Sequence, residues 1–143
     1  MIHLPRQVEY ALMVLAEMQR AEPGTRFAAR ALADDLNIPF DVTAKALQGM
    51  NRAGILASTQ GKQGGYNINR DLRAVSLDAL IACVAAPPAL TACLHHGGHC
   101  SYESRCTIRT SIARLDQRVR ALFKEVTVHE LVAEPNVEPT VNC

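Results

Sequence analysis

The segment RFAARALADDLNIPFDVTAKALQGMNRAGIL, residues 26–56, constrains the fold more than any other part of the chain. Its first half has apolar residues that predict one face of a helix: Phe27, Ala31, Leu32 and Leu36. Residues 37–39, Asn-Ile-Pro, interrupt that helix. Leu47 and Met50 then anchor a second helix, which ends at the pair Ala53-Gly54. Two short helices joined by so short a turn predict a helix-turn-helix.

A glycine-tipped hairpin is predicted directly after the second helix. In the segment LASTQGKQGGYNINR, two short stretches rich in Ile, Thr and Tyr flank residues 61–65, Gly-Lys-Gln-Gly-Gly. These glycines match neither the Walker pattern nor the GxGxxG fingerprint, so a nucleotide-binding loop is not predicted. A helix-turn-helix followed by a hairpin predicts a winged helix.

The remaining elements are predicted to be helical, which makes the fold class mainly α with a small β-hairpin wing. An apolar helix is expected at residues 5–19, and a second follows Ser76 over residues 77–84. A long helix carries an apolar seam at spacings of four and three: Ile108, Ile112, Leu115, Val119 and Leu122. We expect this to be a long dimerisation helix, covered by the same helix of a second subunit, and packing within one chain is the alternative. Thr127 and Glu130 predict a capping box for a last short helix.

We predict three regions along the chain. Residues 1–75 form the winged helix-turn-helix, residues 76–132 hold a cysteine loop and the dimerisation helix, and residues 133–143 are a flexible tail. Basic residues around Asp116 in the long helix are expected to form a solvated face. No secretion signal or membrane span is predicted, and no catalytic motif is recognisable. We therefore expect a cytoplasmic protein that has no membrane partner and is not an enzyme.

A nucleic-acid interface is predicted on the second helix of the motif. Between residues 26 and 73 there are seven Lys and Arg against four Asp, a local charge of +3. Asp41, Lys45, Gln48 and Arg52 share one helix face, and such side chains hydrogen-bond base edges and phosphates in a major groove. A solvated face is the alternative for this stripe alone. The predicted DNA-binding set is Arg26, Lys45, Gln48, Arg52, Gln60 and Lys62.

A loop of three cysteines, CLHHGGHCSYESRC, precedes the long helix. Six residues separate Cys93 from Cys100 and five separate Cys100 from Cys106, so the CxxC pairs of zinc fingers are absent. Three readings remain open on spacing alone. They are an iron-sulfur cluster, zinc with one of His95, His96 or His99 as the fourth ligand, and a metal-free thiol switch. Cys83 is expected to be a small core residue and Cys143 a free thiol.

The order of these parts resembles the bacterial iron-sulfur transcription regulators of the IscR and NsrR type, over about residues 3–132. The resemblance rests on EYAL in the first helix, GGY in the wing, the three-cysteine loop, and VTVHELV after the seam helix. It implies a homodimer whose operator affinity on double-stranded DNA is controlled by a two-iron or four-iron cluster. It also implies that Cys93, Cys100 and Cys106 supply the thiolate ligands, and that redox state, nitric oxide or iron is sensed. Repressors are among these regulators.

Three departures from that family affect the predicted site. Six residues separate Cys93 from Cys100 where IscR-like members have five. Arg109 stands where those members place a histidine ligand. Glu9 aligns with the position at which related sensors offer a carboxylate from the partner subunit, so the resemblance makes Glu9 the favoured fourth ligand. The sequence alone, without the resemblance, instead favours placing Glu9 on a polar helix edge beside Arg6. Gln60 replaces an arginine of the family's wing, and Lys62 partly compensates for that loss.

Overall fold

A computed structural model describes residues 3–86, 89–94 and 100–133 of the chain. Within these residues there are six α-helices and one two-stranded antiparallel hairpin. The elements are α1 (Arg6–Arg20), α2 (Ala29–Asp35), α3 (Phe40–Arg52), β1 (Leu56–Thr59), β2 (Gly65–Ile68), α4 (Leu77–Val84), α5 (Arg109–Glu125) and α6 (Val128–Val132). The predicted fold class, mainly α with a hairpin wing, is confirmed.

One aliphatic core joins both parts of the described chain. Helix α1 contacts α3, α4 and α6. Side chains from these four helices are fully buried together, among them Leu15, Leu47, Leu80 and Val128. Because α6 contributes to the same core as α1, the last described helix packs against the winged helix. The predicted division of the chain into two regions at residue 75 stays a prediction.

The turn between α2 and α3 depends on Asn37, which adopts a left-handed conformation with φ of 52°. Asparagine tolerates this region better than most residues, and the turn closes with the Ile38 amide donating to the Ala33 carbonyl at 2.9 Å. The guanidinium of Arg30 lies 4.1 Å from the centre of the Phe40 ring, which ties the start of α2 to the start of α3.

Two residues of the predicted α2 face are wrong. Phe27 lies before the helix, which begins at Ala29, and pairs with Tyr66 of the wing. Ala31 is exposed, and the buried stripe instead contains Ala29, Leu32, Ala33 and Leu36. These four positions are spaced i, i+3, i+4 and i+7, the spacing of one helix face. Ala31 falls outside that face because it follows Ala29 by two positions, which places it about 200° around the helix.

The hairpin forms where the sequence predicted it. Leu56 pairs with Ile68, and Thr59 pairs with Gly65. A further contact joins the wing to the chain before α2, because the amides of Phe27 and Tyr66 each donate to the other's carbonyl at 2.8 Å. Gly65 permits this approach, since its φ is 148° and a Cβ there would overlap the Phe27 backbone. Strand β2 is therefore hydrogen-bonded to β1 and also to Phe27.

After α5 the chain returns to the beginning of α4. The Ser76 hydroxyl caps α4 by accepting from the Ala79 amide at 3.1 Å, as predicted. The Leu77 amide donates to the Val126 carbonyl, and the Val128 amide donates to the Val75 carbonyl, both at 2.8 Å. The predicted capping box of Thr127 and Glu130 is present. The two ends of α5 are thus joined to different structures, the cysteine loop and the core.

Candidate nucleic-acid interface and cysteine loop

Helix α3 presents its polar stripe to solvent. Its buried side consists of Thr43, Ala46, Leu47, Gly49 and Met50, and Asp41, Lys45, Gln48 and Arg52 are exposed on the other side. The buried Thr43 side chain is compensated, because its hydroxyl donates to the Pro39 carbonyl at 2.9 Å. The four side chains predicted to face DNA therefore lie on an accessible helix face.

The opposite side of α3 packs closely on α4. A Cβ added at Gly49 would overlap the carbonyl oxygen of Cys83, so only glycine fits at this crossing. Burial raises the pKa of the Cys83 thiol, whose Sγ lies 3.1 Å from the Leu80 carbonyl as a donor. A thiol with a raised pKa is a poor nucleophile and a poor ligand at neutral pH. Cys83 packs against the core, as predicted.

The predicted wing residues are exposed on the same part of the molecule. Arg26, Gln60 and Lys62 are all exposed. The Arg26 Nη1 atom donates to the Gln63 carbonyl of the wing at 3.4 Å, so Arg26 lies beside the hairpin although it precedes α2 in sequence. Lys62 lies at the tip between β1 and β2. Arg26 and Lys62 supply positive charge at the hairpin, whose first strand contacts α3, as a phosphate-contacting wing requires, whereas Gln60 is neutral.

The described cysteines of the loop are accessible thiols. Cys93, Cys100 and Cys106 are each half-buried and form no disulfide. The Sγ atom of Cys93 lies 3.2 Å from the Thr91 hydroxyl oxygen. The second limb of the loop, residues 100–106, contains turns, since the Glu103 amide donates to the Cys100 carbonyl at 3.1 Å. Three thiols in one loop are a donor set that suits an iron-sulfur cluster or zinc.

A complete ligand set is not assembled by the described residues. Within residues 3–86, 89–94 and 100–133, no three His, Cys, Asp or Glu side chains are grouped so as to hold a metal ion. The alternative zinc ligands His95, His96 and His99 lie outside the described residues, as do Cys143 and nearly all of the predicted tail. The metal ligands therefore stay a prediction.

Glu9 and Arg109 each have a partner. Glu9 pairs with Arg6 at 2.9 Å, and its side chain is 40% exposed. Glu9 therefore lies at the polar edge of α1 beside Arg6, the position expected from the sequence alone, because the helix buries its other face. Arg109 pairs with Glu103, between the second and third cysteines. Exposure leaves Glu9 accessible to a second subunit, and its ligand role stays a prediction.

Sequence reasoning missed the burial of Asp116. The basic residues around it were expected to form a solvated face, yet Asp116 itself is only 8% exposed. Its Oδ1 atom accepts from the Leu90 amide at 3.0 Å, and its Oδ2 atom accepts from Arg120 Nε at 2.8 Å. The spacing of Asp116 and Arg120 is a visible i, i+4 signal. The contact with Leu90 joins distant positions, and no local pattern reports it.

The apolar seam of α5 is largely uncovered in the single chain. Ile108, Leu115 and Leu122 are 61%, 48% and 55% exposed, and Ile112 and Val119 are half-buried. A row of large aliphatic side chains with this exposure marks an interaction surface. None of the helices in the described ranges is both long enough and apolar enough to cross a membrane.

Known relatives are transcriptional regulators. The chain is 26% identical to an Rrf2-like HTH-type transcriptional regulator of Rhodobacter capsulatus over 131 residues, covering 88% of this chain and 87% of that protein. It is 31% identical to the HTH-type transcriptional regulator IscR of Vibrio cholerae over 88 residues, covering 62% of this chain and 50% of that protein. The match thus spans half the length of this IscR relative.

Solved structures share the fold at low sequence identity. CymR, the global cysteine regulator of B. subtilis, has a TM-score of 0.69 at 16% identity, covering 95% of this chain and all of that one. The IscR structure of T. potens has a TM-score of 0.66 at 11% identity, covering 96% of this chain and 94% of that one. These neighbours establish the winged-helix architecture.

The family profile covers nearly the whole described region. The profile of the Rrf2 family, described as an iron-dependent transcriptional regulator, matches residues 4–134. This range includes the winged helix, the cysteine loop and α5 together. A transcriptional regulator of this architecture binds DNA and is not an enzyme. The resemblance to IscR-type regulators is thereby confirmed, and the chain belongs to the Rrf2 family of transcriptional regulators.

Proposed function

We propose that this protein is a cytoplasmic, homodimeric regulator whose operator affinity is controlled by an iron-sulfur cluster. The observation that carries the proposal is the donor set: three accessible thiols, Cys93, Cys100 and Cys106, on one loop that leads into α5. When bound, a two-iron or four-iron cluster would supply the redox and ligand-exchange chemistry by which oxidants or nitric oxide are sensed. Glu9 of the partner subunit is the proposed fourth ligand.

The proposed operator contacts divide into base reading and backbone positioning. Lys45, Gln48 and Arg52 on the exposed face of α3 would enter the major groove, where glutamine and arginine hydrogen-bond base edges. Arg26 and Lys62 beside the hairpin would contact phosphates or the minor groove, and Gln60 replaces a basic group there. The exposed seam of α5 supports a twofold dimer, and such a dimer binds a pseudo-palindromic site.

A metal-free thiol sensor is the second candidate. It is favoured by the absence, among the described residues, of any group of three potential ligands around one point. The structural likeness to a protein named as a global cysteine regulator points the same way. In this case oxidation of the loop thiols would alter DNA binding, and a zinc-bound loop would be a related alternative.

Visible absorption and metal analysis of anaerobically purified protein separate these candidates. A brown protein with iron and sulfide is expected, and alanine substitution of Cys93, Cys100 or Cys106 should abolish the colour. Cys83→Ala is the matched control, because Cys83 packs on the core at the α3–α4 crossing and should leave the spectrum unchanged. A colourless protein with stoichiometric zinc, or with no metal, would overturn the cluster.

Binding to a specific operator and to random duplex tests the DNA interface. Gln48→Ala should lower the preference for the operator by about 1–3 kcal/mol, because a base contact is lost. Lys62→Ala should weaken both duplexes alike and reduce the salt dependence, because a phosphate contact is lost. Equal losses on both duplexes for the two variants would exclude base reading by α3.

A further inference from the structure

Asp116 has an environment unlike that of any other acidic residue in the described parts of the chain. Among those residues it is the only charged side chain that is buried. Carboxylates are rarely buried unless hydrogen bonds compensate for the loss of water. Both oxygens of Asp116 are used, one by Leu90 and the other by Arg120. The burial of Asp116 therefore needs both partners.

The two hydrogen bonds have different consequences. Arg120 lies one turn along α5 from Asp116, so their pair at 2.8 Å compensates charge within a single helix. The Leu90 amide belongs to the chain that leads into the cysteine loop, and it donates to the carboxylate at 3.0 Å. This second bond attaches that chain to α5. A hydrogen bond to a charged acceptor is stronger than one between neutral groups.

Asp116 binds the first limb of the cysteine loop, residues 90–94, to α5. Cys106 lies three residues before α5 begins at Arg109, so the second limb is joined to α5 by the chain itself. Leu90 lies three residues before Cys93, so the first limb is joined to the same helix through Asp116. Both limbs therefore meet α5, one covalently and one through a buried carboxylate.

A short turn transmits this constraint to the Cys93 thiol. The Leu94 amide donates to the Thr91 carbonyl at 3.0 Å, which folds residues 91–94 into one turn of 3₁₀ helix. Within that turn the Thr91 hydroxyl oxygen lies 3.2 Å from the Cys93 Sγ atom. Since Leu90 immediately precedes the turn, fixing its amide limits where Cys93 can move.

We infer that Asp116 is a positioning residue for Cys93, and that it couples the first limb of the cysteine loop to α5. The positioning stands without the proposed cluster, whereas its use in sensing depends on the proposed function. If Cys93 is oxidised or takes a ligand, strain on this limb acts on α5 through the carboxylate. The exposed seam lies on that same helix, so the state of the loop is communicated to the dimer surface.

The inference is tested by alkylating reduced, cluster-free protein with iodoacetamide and measuring each cysteine by peptide mass spectrometry. Asp116→Ala should accelerate the reaction of Cys93 about tenfold, the factor that corresponds to the loss of one charge-assisted hydrogen bond. Asp116→Asn keeps a neutral acceptor for the Leu90 amide and should give a smaller increase. Gln117→Ala, an exposed neighbour on α5, is the matched control and should react like wild type.

Selectivity between thiols distinguishes positioning from general destabilisation. Cys106 and Cys83 should react at their wild-type rates in all three variants, because Asp116 restrains neither. An equal increase at all measured cysteines, or no increase at Cys93, would overturn the inference. If the alanine variant does not fold, the asparagine variant decides: Cys93 reacting no faster than in Gln117→Ala refutes the inference. If the wild-type protein proves to hold no cluster, this measurement can still be made, and only the proposed cofactor is contradicted.

Discussion

Gly49→Ala is the substitution whose effect on stability follows most directly from the structure. Gly49 lies inside α3, where its backbone is helical and places no demand on glycine. The added Cβ would overlap the Cys83 carbonyl oxygen and lie 3.2 Å from the Cys83 carbonyl carbon and 3.7 Å from Val84 Cα. These atoms belong to the backbone of α4, so they do not rotate away as a flexible side chain would.

Two opposing terms set the magnitude. In an unobstructed helix interior, alanine is more stable than glycine by about 0.5–1 kcal/mol. Overpacking costs about 1–3 kcal/mol, and the upper half of that range applies because α4 itself must move. We therefore expect a net loss of about 2 kcal/mol in the free energy of unfolding. For a chain of this size that loss corresponds to a fall in Tm of about 6–8 °C.

Urea unfolding followed by circular dichroism measures the change. Gln48→Ala is the matched control, because Gln48 is adjacent, exposed and without a packing role, so its change should stay within about 0.5 kcal/mol. The two variants should therefore differ in the property they lose. Gln48→Ala should lose operator preference, and Gly49→Ala should lose stability. If Gly49→Ala proves more stable than wild type, the close packing of α3 on α4 is refuted.

Three further perturbations test the dimer surface, the last helix and the wing. Leu115→Asp should leave the fold intact, because Leu115 is 48% exposed in the single chain, but should give a monomer by light scattering; a folded dimer would place the interface elsewhere. Hydrogen bonds from Thr127 lower the pKa of the Glu130 carboxyl. The carboxylate should therefore stabilise the fold above about pH 4.3, and that advantage should be lost as pH falls through its lower folded pKa. Wild type and Glu130→Gln should then differ in Tm at pH 6 and converge as the pH falls below that folded pKa, and a difference independent of pH would contradict this. Gly65→Ala should lower Tm more than Gly24→Ala, since both have positive φ but only Gly65 is pressed against backbone; equal losses would show that strain alone decides.

Local patterns predicted the elements of the fold well. Ser76 as the cap of α4, and Thr127 with Glu130 as a capping box, are signals contained within four consecutive residues. The hairpin follows from glycines between two stretches rich in strand-forming residues. In each case the residues that carry the signal are also the residues that make the contact, so the sequence contains the necessary information.

Contacts between distant segments were not predictable in the same way. The burial of Asp116 depends on Leu90, and the need for glycine at position 49 depends on the backbone of Cys83. Arg26 beside the wing depends on the bridge between Phe27 and Tyr66. Neither helix periodicity nor spacing encodes which remote backbone atom will be nearest. For the candidate site, the accessible stripe on α3 was predictable, whereas the anchoring of the cysteine loop was not.

The packing of α6 against α1 has a consequence for how the protein is made. Val8 and Val128 are fully buried in one core although they lie near opposite ends of the described sequence. The entropy of closing so long a loop opposes this contact, so it should form late and slow the folding of an otherwise helical chain. During synthesis the helices of the winged helix leave the ribosome before α6 exists to complete their core. A nascent chain should therefore gain DNA affinity only after the cysteine loop and α5 have also been synthesised.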